Sequence, residues 1–223
     1  MKLISIQLAI FSQDMITRPD LLFNEVNTKM GGVIDGMPTI LNLPPEAPVE
    51  IPIVQAKSID GHINVNVSKM RIDLIINLVY ENDLSPLQSF ENNKNILQSF
   101  YKGVLSCINA NRTGFVLTLF DPREDGVRAI FNKYFSEKYT SKCVESSMRM
   151  NKQNMRKSIV YNNIYAVEAA TINVGVENVS GVLFQYDINN APEQDKKINE
   201  DTISYIISQG VANLSPESIK EMI

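Results

Sequence analysis

The segment from Ile53 to Val79 constrains the fold more than any other part of the chain. Ile53-Val54-Gln55-Ala56-Lys57 leads into Ser58-Ile59-Asp60-Gly61, and Asp-Gly is a strong hairpin signal because both residues tolerate left-handed backbone. His62 to Val67 alternates polar and apolar, and after Ser68-Lys69 a further apolar run extends from Met70 to Val79. A period of two gives each strand one core-facing side, so these three runs predict an antiparallel meander.

Elements that can extend or cover such a sheet flank it on both sides. Leu3 to Phe11 alternates as a strand; Ser5 and Gln7 interrupt it, and no small-residue cleavage site precedes Asp14, which sets it apart from a signal peptide. No apolar stretch is long enough to span a bilayer, so no membrane association is expected and the protein reads as cytoplasmic. Pro19 opens a helix carrying Leu22, Phe23, Val26 and Met30, with Gly31-Gly32 as its stop. From Pro38 through Pro44-Pro45 and Pro48 to Pro52 the prolines predict a rigid, extended arm. Ser85-Pro86-Leu87-Gln88 has the form of a capping box, and Leu87, Phe90, Leu97, Tyr101, Val104 and Ile108 share one stripe of a long helix ending near Asn109–Arg112.

Gly114 to Phe120 follows as a strand broken by Asp121-Pro122, then a short helix marked by Val127, Ile130, Phe131 and Tyr134. Val144 to Met150 and Ile159 to Val176 read as strands, Ser180-Gly181 as a turn, and Val182 to Ile188 as another strand. A helix through Ile198, Ile203, Ile206, Ile207 and Val211 precedes a short one capped by Ser215-Pro216. The expected fold is therefore α+β, with antiparallel sheet and packing helices in a single domain over residues 1–223. Strands followed by a packing helix occur twice, which is compatible with two related halves, about 1–121 and 122–223, although their residue-level similarity is weak.

Composition narrows the function classes. With 223 residues, 44% of them hydrophobic and 21% charged, the chain can build its own core without disulfides or metal. A net charge of −4 supplies no global positive field for nucleic acid. His62 is the one histidine and Cys107 and Cys143 are the two cysteines, which leaves a structural zinc site or a Ser-His-Asp triad very little to draw on. The thiols read as reduced and partly buried, and His62, beside the Asp60-Gly61 turn, as structural or solvated. Gly31-Gly32, Gly36 and Gly61 lack any phosphate-loop spacing, so nucleotide chemistry is not expected, and no cofactor is implied.

Two clusters have chemical potential. Asp121, Glu124 and Asp125 offer oxygen ligands for a divalent metal, but acids after a strand end are also ordinary at a helix start. Glu137-Lys138 has the wrong spacing for a restriction-type nuclease. Arg149, Lys152, Arg156 and Lys157, with Asn151, Gln153 and Asn154, could touch a phosphate backbone, or could be an exposed hairpin tip between two strands. No interleaved aromatics supply stacking platforms there, so nucleic acid is not the favoured partner.

Ser58-Ile59-Asp60-Gly61, Val67-Ser68, Arg71-Ile72-Asp73-Leu74, Tyr80, the long helix and Arg112-Thr113-Gly114-Phe115 together resemble a sporadically distributed family of uncharacterised bacterial proteins. That family carries a Ser-x-Asp-Gly turn and an Arg-Ile-Gly-Leu-Arg-Tyr strand, of which this chain keeps the Arg and the Gly. Gly181-Val182-Leu183-Phe184-Gln185-Tyr186-Asp187-Ile188-Asn189 before a helix is also similar. The resemblance implies no known reaction, and its scattered bacterial distribution fits an accessory or mobile-element system such as phage defence.

The sequence thus favours a non-catalytic protein-binding module or complex subunit. Its partner, another protein or a second copy, would dock on a sheet edge, the proline-rich arm or the C-terminal helices, whose apolar end is Glu221-Met222-Ile223. The alternative is a metal-dependent or nucleic-acid-associated enzyme built on Asp121, Glu124 or Asp125 and the basic segment.

Overall fold

A computed structural model describes residues 1–44, 46–78, 84–135, 144–191 and 196–222. Val79, Tyr80, Glu137-Lys138, Cys143 and Ile223 lie outside these described residues. The expected meander forms as β3 (Val54–Lys57), β4 (Ile63–Val67) and β5 (Arg71–Asn77), with Val65 opposite both Ala56 and Leu74. It grows outward through β2 (Thr39–Ile40) and inward onto β1 (Lys2–Ser12). β1 pairs on its other side with β6 (Ala110–Pro122), and β6 pairs in turn with β9 (Glu177–Asn190). β8 (Ile159–Val174) and β7 (Ser147–Arg156) complete one nine-stranded sheet in the order β2-β3-β4-β5-β1-β6-β9-β8-β7. All its ladders are antiparallel, so the fold is α+β, and the sheet runs unbroken across the boundary between the two sequence halves.

One face of this sheet is apolar from edge to edge. Val65, Leu74, Leu8, Phe115 and Ile188 stand side by side on successive strands, and all are buried. The helices cover this face. α1 (Pro19–Lys29) lies over β3 and β4, α2 (Pro86–Leu105) over β1 and β5, α3 (Gly126–Tyr134) over β8 and β9, and α4 (Glu200–Ala212) over β6 and β9. α5 (Pro216–Met222) reaches α3, where Lys133 Nζ donates to the carbonyl of Glu221. No helix among the described residues is long and apolar enough to cross a membrane.

The capping box at α2 is present: the backbone N–H of Gln88 donates to Ser85 Oγ at 3.3 Å and that of Ser85 to Gln88 Oε1 at 3.0 Å. Several expected boundaries are corrected. α2 ends at Leu105 rather than near Asn109–Arg112, because β6 already starts at Ala110. Leu87 is exposed, whereas Phe100, outside the expected stripe, is fully buried.

The basic segment is strand rather than hairpin tip. β7 runs on through Arg156, and the turn is only Lys157-Ser158, whose φ values of 49° and 60° give the twist a two-residue hairpin needs. Ser180-Gly181 is not a turn either. The β8–β9 turn lies at Gly175-Val176, where Gly175 has φ 60°, and Gly181 sits inside β9. A Cβ at Gly181 would come within 2.3 Å of the Asp121 carbonyl oxygen and 2.5 Å of the Phe120 ring, so close packing explains that glycine.

Candidate binding surface on the bare sheet face

The second face of the sheet carries no helix among the described residues, and the strand pleat fixes which side chains it presents. On β1 they are Ser5, Gln7, Ala9 and Phe11. Beside them stand Arg71, Asp73 and Ile75 on β5, and Arg112, Gly114, Val116 and Thr118 on β6. Further out come Gln185, Asp187 and Asn189 on β9, Asn162 and Ile164 on β8, and Asn151 and Gln153 on β7.

These side chains form two hydrogen-bonded groups. In the first, Arg71 donates to Asp73 Oδ1 through Nε at 2.8 Å and Nη2 at 2.6 Å, and Gln7 Nε2 donates to the same oxygen at 3.2 Å. In the second, Gln153 Nε2 and Asn151 Nδ2 donate to Asn162 Oδ1 at 2.9 Å and 3.2 Å. Asn162 Nδ2 donates onward to Asn189 Oδ1 at 3.0 Å, and Asn189 Nδ2 to Asp187 Oδ1 at 2.9 Å.

Between the groups the sheet dips. Gly114 and Ala9, adjacent on β6 and β1, supply almost no side chain, and the longer residues around them wall a concavity of about 170 Å³. At one end Phe11 lies between two arginines from the flanking strands, with the Arg71 guanidinium carbon 5.1 Å and that of Arg112 4.9 Å from the ring centroid. Arg71 is neutralised by Asp73. Arg112 has no ion pair or side-chain hydrogen bond among the described residues, and its Nε is buried without a partner. Asp187 closes the other end.

Asp121, Glu124 and Asp125 do not converge on one point. Asp121 is buried and held by Arg123 at 2.8 Å and by the Met1 amino group at 3.4 Å, while Glu124 and Asp125 are exposed. Among the described residues no group of three or more His, Cys, Asp or Glu side chains is placed to hold a metal ion. The basic cluster is split by the pleat. Arg149 shares the bare face with Asn151 and Gln153, whereas Lys152 and Arg156 alternate to the helix-bearing face. Arg156 stacks on Tyr205 of α4 at 4.3 Å and lies 3.7 Å from Asp201. Lys157 donates to Asp201 at 2.9 Å, and that bond holds the Asp201 carboxyl below its ordinary range.

His62 Nε2 lies 3.2 Å from Asn93 Oδ1, and Asn93 Nδ2 donates to the carbonyl of Ser89, so the imidazole ties the sheet to α2. Cys107 Sγ donates to the carbonyl of Gly103 at 3.1 Å, and burial pushes its thiol up, away from the reactive thiolate. A larger groove of about 410 Å³ lies between α2 and α4. Its charged residues Glu91 and Lys94 pair with each other at 3.2 Å, and Gln98, Tyr101, Ser204 and Ser208 are its other polar lining residues, with the Tyr101 hydroxyl 3.5 Å from Ser204 Oγ.

The sequence did not place Phe11, Gln7, Arg112, Gly114, Asp187 or Asn189 in a site. Gln7, Asp187 and Asn189 carried a signal as polar residues at every second position of a strand, but the neighbours that bring all six together come from the sheet order. No protein-family model matches this chain, and comparison with curated proteins finds no match.

Proposed function

We propose that this protein is a non-catalytic binding module that docks a partner protein on the bare face of its sheet. The observation that supports it is the segregation of the helices: among the described residues the nine strands carry the helices on one face and present a largely polar, preformed surface on the other. Side chains there are already hydrogen-bonded to one another, so little conformational entropy remains to be lost on docking. The described residues bring no nucleophile, base and orienting group into a catalytic constellation. The resemblance to scattered bacterial proteins supports a cytoplasmic subunit of an accessory complex, phage defence included.

The test is co-expression with the neighbouring genes, followed by size-exclusion chromatography with light scattering and mass spectrometry of the assembly. The wild-type chain is expected in a stable complex that Ile75→Lys, on the bare face, breaks without changing the melting temperature. A strictly monomeric chain, or a complex indifferent to Ile75→Lys, would overturn this reading. Retention of nucleic acid instead of protein would move the assignment to the nucleic-acid-associated alternative.

A further inference from the structure

We propose that the concavity over Gly114 receives one acidic side chain of the partner, its carboxylate taken by the guanidinium of Arg112. This rests on the reading of the bare face as a docking surface and names the chemistry recognised there.

Gly114 is the first reason. Glycine inside a strand weakens it, so it needs a cause. Of the ten glycines, four take positive φ and five would bring a Cβ within 3.3 Å of a neighbour. Gly114 does neither: the nearest atom to its Cβ position is Asn189 Cβ at 3.5 Å, an ordinary contact. Among the described residues nothing demands a glycine there. What its missing side chain creates is the concavity itself, the feature expected where another molecule approaches the backbone.

Arg112 is the second. It lines the same concavity with its guanidinium against Phe11, and among the described residues it has no ion pair or side-chain hydrogen bond. Its Nε is shielded, so the terminal nitrogens are the ones that can take a carboxylate with two parallel bonds. Phe11 holds the fork from one side, so the group is positioned before the ligand arrives.

Size and charge choose between anions. A volume of about 170 Å³ falls below the roughly 300–1,000 Å³ of pockets that enclose whole small molecules, so one side chain fits and a nucleotide does not. Asp187 sits opposite Val116, four residues along β6 from Arg112, or roughly 13 Å at the rise of a strand. A second phosphate of a nucleic-acid backbone would meet that carboxylate, whereas a peptide would give it an N–H.

The test uses the isolated protein labelled with ¹⁵N-glycine and a blocked peptide, acetyl-Gly-Gly-Glu-Gly-Gly-amide, with its Gln counterpart and inorganic phosphate as further arms. The Glu peptide is expected to shift the Gly114 amide saturably and the Gln peptide to leave it in place. Arg112→Gln is expected to weaken the Glu peptide about tenfold. The wild type is also expected to broaden the Glu peptide's own signals, and Gly114→Val, whose Cβ finds no atom closer than 3.5 Å and whose methyls enter the concavity, is expected to abolish that broadening while melting like the wild type. Equal shifts from both peptides, no shift from either, or undiminished binding by Gly114→Val would overturn the proposal. A larger Gly114 shift from phosphate than from the Glu peptide would also overturn it, in favour of a phosphate group. Peptide binding by a chain whose complex ignores Ile75→Lys would leave this site standing and remove the wider docking surface.

Discussion

The hydroxyls of Tyr134 and Tyr165 meet at 2.9 Å, joining α3 to the centre of β8. Tyr165 also packs against Tyr186 with ring centroids 5.2 Å apart, so three phenols share one partly buried layer beneath the helix. Burial, and for Tyr165 the bond to Tyr134, push the hydroxyls of Tyr165 and Tyr186 well above the ordinary tyrosine range. Tyr161, beside α4, is shifted the same way by burial.

This layer predicts alkaline unfolding. In the unfolded chain these phenols ionise at about pH 10, while in the folded protein burial moves their ionisation to higher pH. The folded state therefore binds more protons above about pH 10, and its stability falls as pH rises through that point. Below it the contribution is fully present. Urea midpoints measured from pH 8 to pH 12 should hold level and then drop beyond about pH 10, with a shallower drop in Tyr165→Phe. A flat profile in the wild type would refute the assignment.

The elements were legible wherever one residue type has one local meaning. Asp60-Gly61 and the Ser85–Gln88 box mark a turn and a helix start by backbone chemistry alone, and both occur where expected. Ser180-Gly181 shows the limit. A glycine needed for a left-handed turn and one needed because Phe120 stands over it look identical until the neighbouring strand is known. The same holds for the site. Phe11, Arg71 and Arg112 are far apart in the chain, and only the β5-β1-β6 order sets both guanidinium groups against one ring. Strand order in an antiparallel sheet is decided by which long-range pairings bury the most apolar surface, and single-strand periodicity carries no record of it.

Asp121 separates the structural from the catalytic reading of the acidic segment. Its carboxylate is buried against Arg123, so removing it strands a guanidinium whose Nε already lacks a partner. Asp121→Ala should lose about 3 kcal/mol in urea unfolding, the order expected for one partner of a buried pair. Mg²⁺ or Mn²⁺ should leave the wild-type melting temperature unchanged, since the ligand position is occupied by arginine. A saturable rise in melting temperature with metal would restore the metal site.

Asp201 does the corresponding job for the basic segment. It sits between Arg156 and Lys157 and offsets both, leaving Arg149 and Lys152 on opposite faces of β7. The wild-type chain should pass through immobilised duplex DNA at low salt, whereas Asp201→Ala, with two cations released, should be retarded. Because such binding works by counterion release, the retardation should vanish as salt is raised. Strong retention of the wild type would instead favour a nucleic-acid partner.

Gly181 and Gly114 provide a paired test of what each glycine is for. They lie on adjacent strands, both inside the sheet, and helix or turn propensity does not distinguish them. At Gly181 a methyl would meet the Asp121 carbonyl at 2.3 Å and the Phe120 ring at 2.5 Å, so backbone must move. Gly181→Ala should cost about 1–3 kcal/mol, a fall of several degrees in melting temperature for a chain of this length. At Gly114 the same methyl finds its nearest atom at 3.5 Å and gains strand propensity. Gly114→Ala should therefore melt within about 0.5 kcal/mol of the wild type, or slightly above it. If the two substitutions destabilise equally, Gly114 is there for packing, and the concavity it opens is a by-product of the fold.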